Sequence, residues 1–315
     1  MENTLFHKDI LGLRQLDPGQ IEAVLEAAVH FRAINERRVK KVPTLRGQTI
    51  VMAFFENSTR TKLSFEVAAK RLSADVISFS PSSSSTKKGE TLIDTARNLD
   101  ALRPAAMIIR HSRTGAPHLL ARHFDWSVIN AGDGINEHPS QGLLDMLTMR
   151  DHLGDLRGKT IAIVGDLRHS RVARSNIIGL TKMGAKVVIA GPGTMCDPNL
   201  LQFGIELRHR IEDVLCDADA LMMLRIQRER LGSALLSSTK EYASLYGLNS
   251  GHLRSIQDHC LIMHPGPINQ GVEMMPDVAD SKHSVILEQV ANGIAVRMAL
   301  LYLALGGSPL SGGNA

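Results

Sequence analysis

The stretch MAFFENSTRTKLSFEVAAKRL, residues 52–72, passes from an apolar run through six polar residues into a helical pattern. TIVMAFF at 49–55 is apolar almost throughout, which is typical of a parallel strand covered on both faces. The same alternation recurs along the chain, with further predicted strands in DVISF, AAMIIR, WSVINAG, TIAIVG, KVVIAG, DALMMLR and LIMHPG. This rhythm predicts the α/β class, with mostly parallel sheets flanked by helices.

The chain has 315 residues, more than one hydrophobic core usually organises, so we predict two domains. We place the first at residues 1–137 and the second at 138–283, and we expect a C-terminal helix at 284–315 to complete the first. Polar residues interrupt the apolar segment SVILEQVANGIAVRMALLYLAL, which therefore predicts a buried helix and not a membrane span.

Composition excludes several classes of protein. The net charge of +4 suits anionic small molecules, and only 4% of residues are aromatic, which leaves little surface for stacking on nucleic-acid bases. The three cysteines lie far apart without metal-ligand spacing, so neither a disulfide framework nor a zinc site is expected. The N-terminus has no signal-peptide pattern, and we expect a cytoplasmic protein.

The polar turn Ser58-Thr59-Arg60-Thr61 precedes a predicted helix. The first N–H groups of a helix lack internal partners and attract anions. Hydroxyls add donors, and an arginine adds a charged fork suited to phosphate. Plain helix capping is the alternative, since Ser and Thr are preferred N-caps. Arg60 and Thr61 favour a phosphate site.

The polar turn has an internal echo. LRGQTIVMAFFENSTRT begins at residue 45, and LRGKTIAIVGDLRHSRV begins at residue 156. Arg60 and Arg171 occupy the same place in the two copies, 111 residues apart (171 − 60 = 111). Common ancestry and chance similarity of two strand–helix turns both remain open. In either case each half delivers an arginine beyond a strand's carboxyl end, where ligands bind in open α/β sheets.

Other motifs fail or are ambiguous. GDLRGKT at 154–160 is one residue short of a phosphate-binding loop and precedes a strand, and VGDLRHSR lacks the dinucleotide-binding glycines. Each of the next three residues, taken singly, is more often structural than functional. Arg110 would then be a surface arginine, His138 a helix N-cap and Gln141 an exposed glutamine. LRIQRER at 224–230 is more often a solvated charged face.

Seven segments together carry a family resemblance. They occur in the order FFENSTRTKLSFE, SSSSTKKGET, IIRH, NEHPSQ, GDLRHSR, LRIQRER and HPGPINQGVE. The chain resembles the aspartate/ornithine carbamoyltransferase family from about residue 5 to 305. STRT and HPxQ mark the whole family, whereas LRIQRER and HPGP resemble the catalytic chains that use aspartate. An ornithine-specific chain would have His-Cys-Leu-Pro where this one has HPGP at 264–267.

The resemblance implies a site for carbamoyl phosphate. Its phosphate would bind to Ser58, Thr59, Arg60 and Thr61. Its carbonyl oxygen would bind to Thr61, Arg110 and His138, so the residues expected to act in catalysis are Arg60, Thr61, Arg110 and His138. Its amino group would donate hydrogen bonds to Gln141 and to the backbone of Pro265, Gly266 and Pro267.

The resemblance also implies a site for aspartate. Its two carboxylates would bind to Arg171, Arg225 and Gln227, and also to Lys88. Ser84 and Lys88 would enter the active site of a neighbouring subunit in a homotrimer. The family often has Asn-Arg-Gly where this chain has Asn-Gln-Gly, so Gln270 removes a charge and puts any ion pair there in doubt.

The implied activity is aspartate carbamoyl transfer in a cleft between the domains. Carbamoyl phosphate and L-aspartate would give N-carbamoyl-L-aspartate and phosphate, an early step of pyrimidine biosynthesis, without metal or cofactor and without nucleic-acid or membrane partners. Whether regulatory or dihydroorotase-like chains join the trimer stays open. The alternatives are a transcarbamoylase for another amine, such as ornithine, and, more remotely, a non-enzymatic anion- or RNA-binding protein.

Overall fold

The computed structural model describes residues 7–79, 90–227 and 238–308, which form two parallel sheets flanked by helices. The predicted fold class is therefore confirmed. The chain divides into two compact units: residues up to Leu143 together with those from Ala291 onward, and Leu144–Val290. The divisions fall inside two helices, whereas the boundaries predicted from the sequence, after 137 and 283, fall just before those helices.

The first unit contains a four-stranded sheet in the order β2-β1-β3-β4, with all neighbours parallel. Its elements are α1 (Pro18–Glu36), β1 (Thr49–Phe54), α2 (Thr59–Arg71), β2 (Asp75–Phe79), α3 (Leu92–Asp100), β3 (Ala106–His111), α4 (Ala116–Ala121) and β4 (Ser127–Asp133). Five of the six residues of β1 are buried, as the apolar run predicted, because strands on both sides and helices cover it.

The second sheet has the order β7-β6-β5-β8-β9, again parallel throughout. The elements from residue 139 onward are α5 (Pro139–Leu153), β5 (Thr160–Val164), α6 (Arg171–Lys182), β6 (Lys186–Ala190), β7 (Glu206–Arg208), α7 (Glu212–Leu215), β8 (Ala220–Met223), α8 (Thr239–Tyr246), β9 (Leu261–Met263), α9 (Pro276–Ala279) and α10 (Ile286–Ala304). The short edge strand β7 was not predicted, because its three residues form no apolar run.

In each sheet, the strand that comes first in the chain has later strands on both of its sides. In the first unit, β2 lies on one side of β1 while β3 and β4 lie on the other. In the second unit, β6 and β7 lie on one side of β5 while β8 and β9 lie on the other. The switch points are therefore β1/β3 and β5/β8, and ligands of such sheets bind beyond the carboxyl ends of the strands at these points.

Among the described residues, one helix, α10, is long and apolar enough to cross a membrane by length and composition. However, 61% of its most apolar window is buried inside the chain. Its second half includes buried Val296, Met298, Leu300 and Leu301. This burial fits the core helix that the polar interruptions predicted.

Candidate active site

The turn after β1 carries Ser58 at the N-cap position of α2. Among the described residues its side chain makes no capping hydrogen bond; its hydroxyl donates instead to the Thr61 hydroxyl at 3.0 Å. Ser170, which stands at the N-cap position of α6 in the second unit, does cap its helix by accepting from the Ala173 N–H. Helix capping therefore does not describe the Ser58 side chain. Thr61 is buried, whereas Thr59 and Arg60 are exposed.

Arg110 lies at the end of β3, across the first switch point from this turn. The register pairs Phe54 of β1 with Arg110, and the Phe55 N–H donates to the Arg110 carbonyl at 2.8 Å. The guanidinium donates to Glu56 Oε1 at 2.8 Å and to the Ala131 carbonyl at 3.2 Å. Its side chain is only 12% exposed, so these contacts hold the charge in one place at the edge of the sheet.

A buried acidic network shapes the connection from β4 to α5. Asp133 accepts from the N–H groups of Gly115 at 2.8 Å and Glu137 at 3.2 Å, and Glu137 accepts from the Leu13 N–H at 2.7 Å. Both carboxylates are buried. Neither residue was predicted from the sequence, where their only signal is their position near HPSQ. They fix the backbone directly before His138.

His138 precedes α5 and is buried, with its Nδ1 3.4 Å from the Ser140 hydroxyl. Gln141 lies one turn later, and its N–H donates to the His138 carbonyl at 3.0 Å. Because β1, β3 and β4 are neighbours in one parallel sheet, the first unit brings its predicted site residues to one edge. These are Ser58, Thr59, Arg60, Thr61, Arg110, His138 and Gln141.

In the second unit, Arg171 is the first residue of α6 and is 5% exposed. Gly165, directly after β5, has a φ of +133°, and a Cβ there would lie 3.0 Å from the Cβ of Leu224. A glycine is therefore required where the ends of β5 and β8 approach each other. The chain after β5 and the chain after β8 thus meet at the second switch point.

Arg225 and Gln227 follow β8 and flank Ile226, whose N–H donates to Glu273 Oε1 at 2.7 Å. Asn269 donates to the same carboxylate through its N–H at 2.9 Å and through Nδ2 at 2.6 Å. Burial raises the pKa of Glu273, and this effect exceeds the lowering by its hydrogen-bond donors. Glu273 thus joins the arginine-bearing segment to the segment after β9, a role that the sequence analysis did not assign.

The segment after β9 turns through Pro265, Gly266 and Pro267. The Gly266 N–H donates to His264 Nδ1 at 2.8 Å. The prolines have no N–H, so carbonyl oxygens are the backbone groups that this turn can offer to a ligand. The neighbouring Gln270 is exposed.

Because β5, β8 and β9 are neighbours, the second unit also gathers its predicted residues at one edge. These are Arg171, Arg225, Gln227, Pro265, Gly266 and Pro267. Ser84 and Lys88 lie outside the described residues. The two units therefore present separate sets of groups, one rich in donors for phosphate and carbonyl oxygens, the other with two arginines and the carbonyls of the proline-rich turn.

Sequence comparisons cover nearly the whole chain. A family model of the carbamoyl-P binding domain of aspartate/ornithine carbamoyltransferase matches residues 8–151. A model of the Asp/Orn binding domain matches residues 157–304. The aspartate carbamoyltransferase catalytic subunit of Syntrophobacter fumaroxidans is 56% identical, over 94% of this chain and 97% of that protein. The subunit of the same name from Desulfotalea psychrophila is 55% identical, over 96% and 95%.

Solved structures share the fold. The aspartate transcarbamoylase of Trypanosoma cruzi, in complex with carbamoyl phosphate and aspartate, has a TM-score of 0.86 at 28% identity, covering 95% of this chain and 97% of that one. The ornithine carbamoyltransferase of Pyrococcus furiosus has a TM-score of 0.85, also at 28% identity and with the same coverage. The fold therefore does not distinguish an enzyme that uses aspartate from one that uses ornithine. The two relatives of 55–56% identity, by contrast, are both named aspartate carbamoyltransferase. With both halves matched, the chain belongs to the aspartate/ornithine carbamoyltransferase family.

Proposed function

We propose that this chain transfers the carbamoyl group of carbamoyl phosphate to the α-amino group of L-aspartate. The products are N-carbamoyl-L-aspartate and phosphate. The observation that carries the proposal is the pair of arginine-bearing segments at the two switch points, Arg60 with Arg110 in the first unit and Arg171 with Arg225 in the second. One set suits a phosphate ester, and the other suits a dicarboxylate.

In this proposal, Ser58, Thr59, Arg60 and Thr61 hold the phosphate. The start of α2 supports this, because the described Ser58 side chain does not cap the helix and the backbone donors of the first turn lie at the same edge of the sheet as Arg60. Negative charge on the phosphate increases as the bond to the carbamoyl carbon breaks. The same donors then stabilise the leaving group more strongly than the bound substrate, which accelerates the reaction.

The carbamoyl oxygen accepts from Thr61, Arg110 and His138. Attack by the amine converts this oxygen to an oxyanion, and each well-placed donor typically contributes about 3 kcal/mol at that stage. Glu56 and the Ala131 carbonyl hold Arg110 in place before substrate arrives, so little reorganisation is needed. The departing phosphate takes the proton of the amine, and no side chain is assigned as a general base.

The carbamoyl amino group donates to Gln141 and to the carbonyls of Pro265, Gly266 and Pro267. A turn that offers acceptors recognises an NH2 group and disfavours a methyl group in its place. This selects carbamoyl phosphate over acetyl phosphate.

Arg171, Arg225 and Gln227 bind the two carboxylates of aspartate. The guanidinium fork matches a carboxylate with two hydrogen bonds. The side-chain ammonium of ornithine would instead meet a cationic arginine, which is unfavourable. This charge argument supports aspartate over ornithine as the acceptor, in agreement with the names of the curated relatives.

The active form in this proposal is a cytoplasmic homotrimer of the pyrimidine pathway. Ser84 and Lys88 from one subunit complete the site of the next, where Lys88 binds aspartate. Mixing Lys88→Ala and Arg60→Ala subunits tests this arrangement, since some mixed sites contain neither substitution. We expect activity to reappear in mixed trimers, and its complete absence would contradict a shared site.

The deciding assay measures carbamoyl transfer by the purified chain to aspartate, ornithine and N-acetylornithine. We expect carbamoyl aspartate to form, with the other two amines inactive. A faster reaction with ornithine would contradict the assignment of Arg225. No transfer to any amine, combined with salt-dependent binding to RNA, would favour the non-enzymatic alternative.

A further inference from the structure

Asp145, in the second turn of α5, is a completely buried carboxylate in the second unit. Its Oδ1 accepts from Gln289 Nε2 at 2.7 Å, and its Oδ2 accepts from Asn176 Nδ2 at 2.8 Å. A buried carboxylate is expensive unless donors surround it, so a residue of this kind usually organises its neighbours. Gln289 and Asn176 do not belong to the predicted site.

Gln289 connects this carboxylate to the segment after β9 by hydrogen bonds. Because its Nε2 faces Asp145, its Oε1 must face the other way, and it accepts from the His264 N–H at 3.0 Å. If the amide were reversed, an oxygen would face the carboxylate and an N–H would face an N–H. The charge on Asp145 therefore fixes the orientation of the Gln289 amide, which turns Oε1 towards the His264 N–H.

His264 continues the chain of hydrogen bonds into the turn. Its Nδ1 accepts from the Gly266 N–H, so this nitrogen carries no proton, and the ring orientation sets the position of Gly266. Pro265, Gly266 and Pro267 contain a single N–H among them, and it is the one held by His264. The direction of the three carbonyls thus depends on a chain that begins at Asp145.

Asn176 connects the same carboxylate to the first turn of α6. Its Nδ2 donates both to Asp145 and, at 3.1 Å, to the carbonyl of Val172, the residue after Arg171. Asp145 therefore joins the start of the helix that carries Arg171 to the turn that carries Gly266.

We infer that Asp145 is a positioning residue that sets the carbonyls of 265–267 through Gln289 and His264, and the first turn of α6 through Asn176. The inference rests on the proposed function, in which these two elements bind the carbamoyl amino group and an aspartate carboxylate. One buried charge would then align groups that contact both substrates, although it touches neither.

The test exchanges donors and acceptors along the chain of hydrogen bonds. Asp145→Asn has one accepting oxygen, so its NH2 group opposes either Asn176 or Gln289. Adding Gln289→Glu restores the three described hydrogen bonds: the introduced amide accepts from Asn176 and donates to the introduced carboxylate, whose second oxygen accepts from the His264 N–H. We expect Asp145→Asn to lower kcat/KM by about tenfold or more, the usual value of a hydrogen bond to a charged group. We expect the double variant to recover most of this loss.

Gln289→Leu separates the two branches, and it serves if Asp145→Asn does not fold. It breaks the link to the turn and leaves the link between Asp145 and Asn176. The KM for carbamoyl phosphate should rise while the KM for aspartate stays within about twofold, because an unaltered contact leaves its share of binding energy unaltered. An equal rise in both KM values would contradict the branched arrangement.

Amide hydrogen exchange of the 264–268 segment reports positioning without any turnover. Exchange there should be faster in Asp145→Asn and in Gln289→Leu, and slow again in the double variant. The matched control is Asp219→Asn, which keeps one accepting oxygen where the carboxylate has two hydrogen-bond partners, the Thr160 N–H and His259 Nε2, at the amino ends of β5 and β8. The control should lose stability but keep its kinetic constants and the slow exchange of 264–268.

Three results would overturn the inference: unchanged exchange in both single variants, changed exchange with normal kinetics, or a double variant no better than Asp145→Asn. A wild-type chain that forms no carbamoyl aspartate would refute the proposed function instead. Hydrogen exchange would still decide whether Asp145 positions the turn.

Discussion

Replacing Glu273 with alanine should release the segment that carries Arg225 and Gln227. The buried carboxylate accepts from the Ile226 N–H at 2.7 Å and from the Asn269 N–H at 2.9 Å. Alanine leaves both backbone donors without this acceptor. A buried donor left unsatisfied costs about 1–3 kcal/mol, so the two together should lower the free energy of unfolding by about 2–6 kcal/mol.

Glutamine at position 273 is the matched control. It has the same shape and keeps one accepting oxygen, which can serve Ile226, but its NH2 group opposes the Asn269 N–H. We therefore expect Glu273→Gln to lose about half of what Glu273→Ala loses, about 1–3 kcal/mol, since one donor is affected.

The functional consequence concerns aspartate. Once Ile226 is released, the flanking Arg225 no longer meets the substrate carboxylate in a fixed geometry. Losing a charge-assisted hydrogen bond of about 1.5–3 kcal/mol should raise the aspartate KM about tenfold or more in Glu273→Ala. Glu273→Gln should change it much less. Steady-state kinetics at saturating carbamoyl phosphate measure both values, and an aspartate KM within twofold of wild type in the alanine variant would contradict a role for Glu273 in holding Arg225.

Wild type and Glu273→Gln should also differ in how their free energy of unfolding depends on pH. Burial raises the folded-state pKa of Glu273 above the ordinary 4.5, so the folded state disfavours the ionised form. The stability from this group is fully present below 4.5 and is lost as the pH rises through the raised value. Urea unfolding measured at increasing pH above 4.5 should show Glu273→Gln becoming more stable relative to wild type. Parallel plots of unfolding free energy against pH for the two proteins would contradict the raised pKa.

Other changes have separate readouts. Arg60→Ala should lower kcat by about 10²–10³-fold with an unchanged melting temperature, because it removes a donor to the leaving phosphate; near-normal turnover would contradict the phosphate site. Gly12→Ala would place a Cβ 2.6 Å from the Glu137 carboxyl carbon, and this overpacking should cost about 1–3 kcal/mol, measurable as a lower urea midpoint. The exposed Cys216 should react with iodoacetamide in the native protein at pH 8. Cys196 is buried, with its pKa raised to about 11, and should react only after unfolding; equal labelling rates would contradict this.

Local pattern predicted the central strands well, because a parallel strand between two helical layers is apolar along its whole length. The run at 49–55 corresponds to β1, and the run at 160–165 corresponds to β5. The edge strand Glu206–Arg208 was missed, because it is short and its first residue is exposed. Such a strand forms only when a neighbouring strand supplies hydrogen-bond partners for its backbone. Its own three residues therefore do not predict it.

The site shows the same division. Motifs identified residues that extend from strand ends, such as Arg60 and Arg171. The carboxylates behind them, Asp133, Asp145 and Glu273, were missed or left without a role. An acidic residue is usually exposed. Its burial depends on amide donors that lie up to 144 positions away along the chain, as between Asp145 and Gln289.

Local patterns in the sequence predict the alternation of strands and helices, and they place an arginine just beyond the first long strand of each half. These features are local, because burial on both faces and helix periodicity act over a few residues. The strand orders β2-β1-β3-β4 and β7-β6-β5-β8-β9 come from tertiary packing and are not contained in these local patterns. Strand order depends on which crossover packs on which face, and on contacts between distant segments. That order makes the two arginine-bearing turns into sites, because it places each of them at a switch point.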